Sequence, residues 1–531
     1  MVAQYSQGLR SQRAVPQYEP TPLTQTHEGG LAHQIDDWMR LDRFLVMGST
    51  GGTYYVNERD HTLDNLDVVR RCVALDGLRV IQRIIEISET GRAPKQDPCI
   101  AAFALASVDG NEATKRAVYA AFGRILRIPT HQMHFAKFRE AVGGGWGTGL
   151  RKAYGRLFND AEPRDLAYDA VKYQTRDGWA LWDLLRLARP KPVDAEHDAL
   201  YRYIKNGSIS EGLPADVAGF LLAVAAVKKL ANEPREAAKL IAEHRIPREA
   251  IPSELLTQSI VWEALLPSMG ITALIRNLGN MTKVGLISNG SAAEREIVNR
   301  LQTVDILRKG RVHPIAVLAA LKIYEQGKGF KGARIWTATR RIVTALNESF
   351  YACYGNVDPT GKRIRIALDI SSSMIGNTVA GMEFLSAREL EAALLLVFLN
   401  TEACDLVGFS HNLVDLNGAI KPSTTIQEAM RIMASLPFGG TVCSLPIREA
   451  GANGKDFDAF VTMTDNETSD AHNVSEWLNK YRQQTGHRVT HSVLAFTANE
   501  VSIGDPNDPD VFNVAGFDAA APRLIADFIR G

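Results

Sequence analysis

From Leu63 to Phe350 apolar residues recur at helical spacing, in segments of roughly 10 to 20 residues separated by short Pro, Gly or Asp breaks. The pattern predicts helices at Leu66 to Glu86, Cys99 to Val108, Glu112 to Leu126, Ala215 to Ala231, Arg235 to His244 and Pro314 to Tyr324. Pro234, Pro247 and Pro314 stand where a first helical turn tolerates a missing N–H. No sustained alternation interrupts this span and no strict period is present, so antiparallel pairs stacked in chain order are expected, as an irregular solenoid of HEAT-type repeats. Asp358-Pro-Thr-Gly-Lys362 is a turn signal, and after it the class changes. Apolar runs at 364–370, 404–410, 458–465 and 488–496 alternate with amphipathic stretches at 383–400, 424–436 and 474–484, and Ala519 to Arg530 closes the chain. Strands separated by helices predict a parallel, doubly wound, Rossmann-like sheet. Residues 1–22 are polar, carry Pro16, Pro20 and Pro22, and read as a mobile leader. The expected units are therefore 1–22, 23–357 and 358–531, an α domain followed by an α/β domain.

The α/β part carries the sharpest chemistry. Ile364 to Met374 reads as a buried strand running into Asp369-x-Ser371-x-Ser373, which puts a carboxylate and two hydroxyls at the carboxyl end of a strand. A lone motif of this kind also serves as a turn or cap, because Asp and Ser side chains bind nearby backbone N–H groups. Two later segments favour a hard-cation site: Gly439-Gly440-Thr441 in a loop, and Val461-Thr-Met-Thr-Asp465, a second apolar strand ending on an acid. Asp369, Ser371, Ser373, Thr441 and Asp465 could hold one divalent cation, Mg²⁺ in the first instance with Mn²⁺ or Ca²⁺ as alternatives, and leave a position open.

In the helical part, Val171 to Pro192 interleaves Lys172, Arg176, Arg186, Arg189 and Lys191 with Tyr173, Trp179 and Trp182. Such cations can neutralise phosphates, and the aromatic faces can stack on unpaired bases. The plainer alternative is a solvated basic face over a core of Leu184, Leu185 and Leu187. A second basic set, Lys137, Arg139, Arg151 and Lys152, brackets Gly143-Gly-Gly-Trp-Gly147. Gly48 to Thr53 lacks the Lys that a phosphate loop requires and reads as a tight turn. His131 and His134 have no third zinc ligand nearby, and no nucleophile with a spaced base is visible, so no enzyme is expected.

The chain has 531 residues, too many for one ordinary core, and no net charge. The charge is unevenly placed: from Asp358 onward there are 13 Lys and Arg against 22 Asp and Glu, and before it 47 against 38. A polyanion would therefore bind the first part. The longest apolar run, Glu391 to Asn400, is too short to span a bilayer. Five scattered cysteines without a Cys-x-x-Cys pair read as reduced thiols of a cytoplasmic protein.

The order of a strand ending in Asp-x-Ser-x-Ser, a Gly-Gly-Thr loop and a strand ending in Thr-Asp resembles the metal-ion-dependent adhesion site of a von Willebrand A domain. The whole chain resembles the Ro ribonucleoprotein autoantigen family, a TROVE-type RNA-binding module followed by an A domain. The shared blocks include Arg43-Phe44-Leu45 with Gly51-Gly-Thr-Tyr-Tyr55, Arg127-Ile-Pro-Thr-His131, Lys172-Tyr173 with Gly178-Trp179, and Asp183-Leu-Leu-Arg-Leu187. They continue through Thr272-Ala-Leu-Ile-Arg-Asn-Leu-Gly279, Pro359-Thr-Gly-Lys-Arg363, Gly439-Gly-Thr441 with Cys443-Ser-Leu-Pro446, and Thr464-Asp-Asn-Glu-Thr468. The resemblance implies a ring of helical repeats closed by the A domain, with a basic central hole that takes the 3′ single-stranded ends of misfolded noncoding RNA. It implies Y RNA on a basic outer surface, able to gate the hole or tether an exoribonuclease. The acidic second part would repel RNA and leave the open position of the cation to a carboxylate from a protein ligand. Lys172, Arg176 and Arg189 match the family's Y RNA surface, although animal relatives carry Ser-His in place of Ala180-Leu181 and His in place of Arg189. The competing expectation is a metal-dependent protein-interaction module on a helical scaffold. Hydrolysis of phosphate esters is a weaker one, since neither a second metal position nor a general base is visible.

Overall fold

A computed structural model of the chain describes residues 23–25, 31–33, 37–48, 53–55, 66–93, 95–329, 335–437, 439–465, 471–497, 503–505, 508 and 510–531. The expected leader and residues 49–52 of the Gly48 to Thr53 turn lie outside them.

The helical expectation holds with breaks that have local causes. Leu66–Thr90 is two helices joined at Asp76, whose φ of −153° and ψ of 86° are extended and whose Oδ1 accepts from the Arg79 N–H at 3.0 Å. Asp76 thus caps the second half. The expected helix at Glu112 to Leu126 divides into Glu112–Ala120 and Phe122–Ile125. Asp97–Asp109 is apolar on every side and accordingly lies in the interior, packed against Leu66–Thr90 and Pro129–Ala141. Beyond it each helix packs on near neighbours in the chain. Thr148–Asn159 lies on Leu181–Ala188, Pro163–Lys172 on Ala195–Asn206 and Ala215–Val227, and Ala215–Val227 on Pro234–His244. The series ends with Ile271–Lys283 against Pro314–Glu325 and Ala292–Gln302 against Arg340–Ala352.

In the second part, the strands Ile364–Asp369, Cys404–Phe409, Ala459–Thr464 and Thr490–Ala495 form where the apolar runs place them. They pair in parallel and most of their residues are buried on both faces, which is why they read as continuous runs. Among the described residues the sheet has seven strands, in the order Leu413–Asp415, Cys404–Phe409, Ile364–Asp369, Ala459–Thr464, Thr490–Ala495, Val511–Ala515 and Thr53–Tyr55. Helices Ala387–Thr401, Ile426–Ala434, Leu445–Ala452, Ala471–Thr485 and Ala521–Arg530 connect or follow the strands.

The last strand crosses the expected boundary at residue 358. Thr53–Tyr55, assigned from sequence to the helical unit, pairs in parallel with Val511–Ala515 and is a strand of the A-domain sheet. Its neighbourhood docks as well: the Arg43 guanidinium donates to the Asp508 carbonyl at 3.2 Å, and Arg92 pairs with Asp527 at 2.6 Å. At the other end of the array Lys322 pairs with Glu389 at 2.5 Å, and the Ile426 N–H donates to the Tyr351 hydroxyl at 3.3 Å. Both ends of the helical series therefore meet the same A domain, and the contacts close a circuit.

Asp527 is 8% exposed and Arg92 23%, so removing the acid leaves a largely desolvated guanidinium without its partner. Asp527→Ala is expected to lower stability by about 2 kcal/mol in urea denaturation. An unchanged midpoint would show that this pair does not hold the first part against the A domain.

Candidate nucleic-acid interface and cation site

The two basic sets read separately along the sequence are joined by a hairpin that helical periodicity does not reveal. Thr175–Arg176 pairs antiparallel with Trp179–Ala180 across Asp177-Gly178, whose φ values of 53° and 82° make a type I′ turn. Asp-Gly between two short extended dipeptides is the signal that marks it. The hairpin lies on helix Pro129–Ala141: Asp177 meets His134 at 3.2 Å and Lys137 at 3.5 Å, and His134 Nδ1 reaches Asp97 at 2.7 Å. Trp179 lies 6.2 Å from Trp146, which stacks on Tyr154 at 5.1 Å, so the Gly143 to Gly147 turn and the hairpin share one aromatic contact.

Thr148–Asn159 and Leu181–Ala188 then run side by side in the same direction. Their starts meet at Trp146 and Trp179. Their ends meet where Asn159 Nδ2 donates to the Lys191 carbonyl at 3.0 Å and where a side chain at Gly155 would touch Pro190. Arg151 is on the helix face of Gly155 and Asn159, by four-residue spacing. The arrangement sets Lys137, Arg151, Arg176, Arg189 and Lys191 on the hairpin and the helices packed around it, with Lys152 next to Arg151 in the chain and Lys172 three residues before the first hairpin strand. Arg151, Lys152, Arg176, Arg189 and Lys191 are exposed, and none of them has a carboxylate within ion-pair distance among the described residues. Lys172 is half-buried, with its ammonium 5.3 Å and 5.2 Å from the centres of the Tyr168 and Tyr173 rings.

Arg139 is a correction. It is 8% exposed, its guanidinium donates to the Gly145 carbonyl at 3.2 Å and 3.1 Å and also to the Ser107 hydroxyl, and burial lowers its pKa. A side chain on Gly144 would lie 2.6 Å from Arg139 Cγ. Arg139 therefore shapes the glycine turn from inside and is not available to a ligand. Its neighbour Lys137, two positions earlier on the helix, points to solvent.

The oxygen cluster forms at the carboxyl ends of Ile364–Asp369 and Ala459–Thr464. Asp369, fully buried, accepts from the Ser371 N–H at 2.9 Å and from the Thr464 hydroxyl at 2.8 Å, and Ser371 Oγ lies 2.9 Å from Ser373 Oγ. Asp465, also buried, accepts from Asn377 Nδ2 at 3.4 Å. The loop bearing Thr441 is tied to the same end of the sheet, since Val442 N donates to the Ser410 carbonyl at 3.0 Å and Ile370 N to the Phe409 carbonyl at 3.1 Å. A side chain on Gly439 would lie 2.0 Å from His411 Nδ1, so a larger residue there would require the exposed His411 ring to move. Beneath the loop the buried Arg388 donates to the carbonyls of Asp369 and Ser371 at 2.8 Å and 2.9 Å and pairs with the buried Glu391 at 2.7 Å.

Burial pushes the Asp369 carboxyl up to about 6 against the hydrogen bonds that favour its charge, and Asp465 adds to the rise. Burial likewise pushes Glu391 up to about 8. No Lys, Arg or His among the described residues lies within ion-pair distance of the Asp369 carboxylate. Two buried acids and three hydroxyls without a compensating charge on Asp369 are a donor set that suits a hard cation. No cluster of three or more His, Cys, Asp or Glu that could hold a metal is present among the described residues, which leaves His131 and His134 without a zinc set. Thr464, Asn377 and Arg388 are the site residues that sequence reading passed over. Thr464 stood beside Asp465 in the strand, whereas Arg388 reaches the loop only through the fold.

A family model described as the Ro60 vWA domain matches residues 363–529, and one described as the TROVE domain matches residues 24–211 and 239–323. A Deinococcus radiodurans protein named RNA-binding protein RO60 is 37% identical over 510 residues, covering 95% of this chain and 94% of that protein. A Caenorhabditis elegans protein of the same name is 30% identical over 585 residues, covering 96% and 90%. The crystal structure of the Deinococcus radiodurans RO (RSR) protein superposes with a TM-score of 0.87 at 36% identity, over 93% of this chain and 100% of that one. The matched domains, the closed circuit of helices on an A domain, and two relatives similar over nearly their whole length have one reading: this chain belongs to the Ro60 family.

Proposed function

We propose that this chain is a cytoplasmic, non-enzymatic RNA-binding protein that acts in noncoding-RNA quality control. It holds structured RNA, including Y RNA, on the basic face around the hairpin, and takes 3′ single-stranded ends of misfolded RNA into the interior of the helical circuit. The observation that carries this reading is the joining of two sequence-distant basic sets into one exposed face with aromatic rings at its edge. Arginines and lysines without internal acids are free to replace counterions on phosphates, and such binding selects by shape and charge rather than by base sequence. The names of the two relatives support the RNA-binding part. A Y RNA seated on this face could tether an exoribonuclease.

The A domain supplies a second reading, a metal-dependent capture of protein, favoured by the buried and uncompensated Asp369. Asp369, Ser371, Ser373, Thr441 and Asp465 would hold one divalent cation, Mg²⁺ by the hardness of the five oxygens, and the bound cation would act as a Lewis acid toward a carboxylate of the partner. Thr464 and Ser371 orient the Asp369 carboxylate, and Arg388 holds the loop from below. The two readings use different surfaces and can both apply.

In a binding titration at two salt concentrations, a stem–loop RNA with a 3′ single-stranded tail is expected to bind more tightly than the same stem–loop cut blunt, and steeply less at higher salt. Lys172→Ala with Arg176→Ala is expected to weaken binding of Y-like RNA by about ten-fold or more. Equal affinity for tailed and blunt RNA would remove the 3′-end part of the proposal.

The Asp369 carboxyl is raised in the folded chain, so its charged form costs stability above about pH 6, and that cost disappears as the pH falls toward the ordinary carboxylate range. In chelator, Asp369→Asn is therefore expected to raise stability at pH 7.5 by roughly 2 kcal/mol and to have little effect at pH 4.5. Mg²⁺ should reverse the order, raising the melting temperature of the wild-type chain at pH 7.5 and leaving Asp369→Asn unmoved. A melting temperature that ignores Mg²⁺, Mn²⁺ and Ca²⁺ in the wild type would rule out the cation site.

A further inference from the structure

Among the described residues four other than glycine have a positive φ: Asp177 at 53°, Arg189 at 51°, Arg245 at 52° and Arg311 at 48°. Asp177 turns the hairpin and Arg189 belongs to the basic face, so the first two lie where strained backbone accompanies a proposed function. Arg245 ends helix Pro234–His244 in the left-handed conformation, with Ile246 N donating to the Ile241 carbonyl at 3.2 Å. That is the position at which helices favour glycine, because a Cβ there is sterically penalised. Its side chain is exposed and has no hydrogen-bond or ion-pair partner among the described residues. The backbone hydrogen bonds of the helix end hold this conformation, and the arginine side chain adds no internal contact of its own.

A continuous stripe connects Arg245 to the basic face. On helix Pro163–Lys172 the residues Arg164, Tyr168 and Lys172 follow at four-residue spacing and share one side. Lys172 lies over the Tyr168 ring at 5.3 Å, Tyr168 stacks on Phe220 with centroids 6.3 Å apart, and the Arg164 guanidinium lies over Phe220 at 4.3 Å. Arg164 also donates to the Asp216 carbonyl at 3.0 Å and to the carbonyl of His244, the residue before Arg245, at 3.4 Å. Arg164 therefore braces the helix end that carries Arg245 against the helix that carries Lys172. Eight residues of helix separate Arg164 from Lys172, about 12 Å along the axis. The aromatic pair holds that spacing, with the half-buried Lys172 at one end and the exposed Arg245 at the other, and Asp165 and Asp169 lie on the same helix between them.

We infer that Arg245 is a phosphate-binding residue at the far end of an RNA track that starts at the hairpin and runs along helix Pro163–Lys172. The inference rests on the RNA-binding reading and names a contact beyond it. Arg245 meets the phosphodiester backbone and reads no base, so it contributes charge and register to any structured RNA laid on the face.

Glycine at this position removes the cation and relieves the backbone, which separates binding from folding. The full-length chain is titrated with the tailed stem–loop RNA over a series of salt concentrations, as wild type, Lys172→Ala/Arg176→Ala, Arg245→Gly, Arg245→Asn and Arg311→Gly, each with a melting curve. Arg245→Gly is expected to melt at the wild-type temperature or higher, to bind about ten-fold more weakly, and to show a log–log salt slope shallower by about 0.7 to 0.9. Arg245→Asn, which also tolerates the left-handed conformation, should lose the same affinity. Arg311 has the same backbone but follows a helix packed on Cys353–Asn356, at the other end of the array, and Arg311→Gly should bind within about two-fold of wild type. Unchanged affinity and slope in both Arg245 variants, with loss in Lys172→Ala/Arg176→Ala, would overturn the inference and leave the basic-face reading standing. An equal loss in Arg311→Gly would also overturn it, as an effect of net charge alone. Absence of RNA binding by the wild type would overturn both.

Discussion

A linear stack of helices leaves an apolar surface bare at each end, and a chain built this way must cap both. Here one A domain covers the two ends. The start of the array reaches it through Thr53–Tyr55, Arg43 and Arg92, and the finish through Lys322, Tyr351 and the packing of Pro314–Glu325 on Met382–Ser386. The capping is reciprocal, because the sheet would otherwise end at Val511–Ala515 with an unpaired edge, and the early strand covers it. Closure fixes the curvature of everything between, including the face on which the hairpin and helices Thr148–Asn159 and Leu181–Ala188 lie. Strand pairing between residues more than four hundred apart also makes the A domain dependent on the chain that precedes it.

Closure sets a basic part against an acidic one, and the proposed division of labour depends on that separation. RNA phosphates are hard oxygen ligands and would compete for a cation held by Asp369 and Asp465. The excess of acids after Asp358 repels a polyanion from that region, while the excess of bases before it draws the polyanion to the array. At physiological ionic strength the screening length is about 8 Å, so each surface acts on what touches it and little beyond.

What could be read from the sequence follows the range of the interactions involved. Four central strands were legible because burial on both faces writes them as apolar runs, and Asp369-x-Ser371-x-Ser373 because its three oxygens fall within five residues where one such run ends. Val511–Ala515 was not, being five residues placed after Asp505-Pro-Asn-Asp-Pro-Asp510, and Thr53–Tyr55 was not, since three residues acquire strand character only from a distant partner. Lys137 and Arg139 look equivalent in a basic set, yet two steps of helical rotation, about 200°, send the second to the opposite face, beneath a glycine turn that captures its guanidinium. Arg388 and Glu391 stood at i and i+3 on an apolar helix, the pattern of a surface pair, and only the sheet above them makes that pair buried. The hairpin was legible in principle, through Asp177-Gly178, but it interrupts helices on either side and a helical reading passes over it.

That hairpin also shows how a small element becomes usable. Two strands of two residues are not stable alone in water. This one is held at its tip, where Asp177 meets both His134 and Lys137, and along its side, where Trp179 lies against Trp146. The tip contacts order the backbone before any ligand arrives and place Arg176 beside Lys172 without binding its guanidinium to an acid. Binding energy from phosphates is then not consumed in ordering the loop. The same restraint neutralises Lys137, which pairs with Asp177, so the cations left for a ligand are those on the hairpin strand and the flanking helix ends. A face of fixed shape with charges spaced by packing suits the recognition of many RNAs by form, and Arg151, Lys152, Arg176, Arg189 and Lys191, exposed and without an ion-pair partner among the described residues, leave it open to a phosphate backbone that fits it.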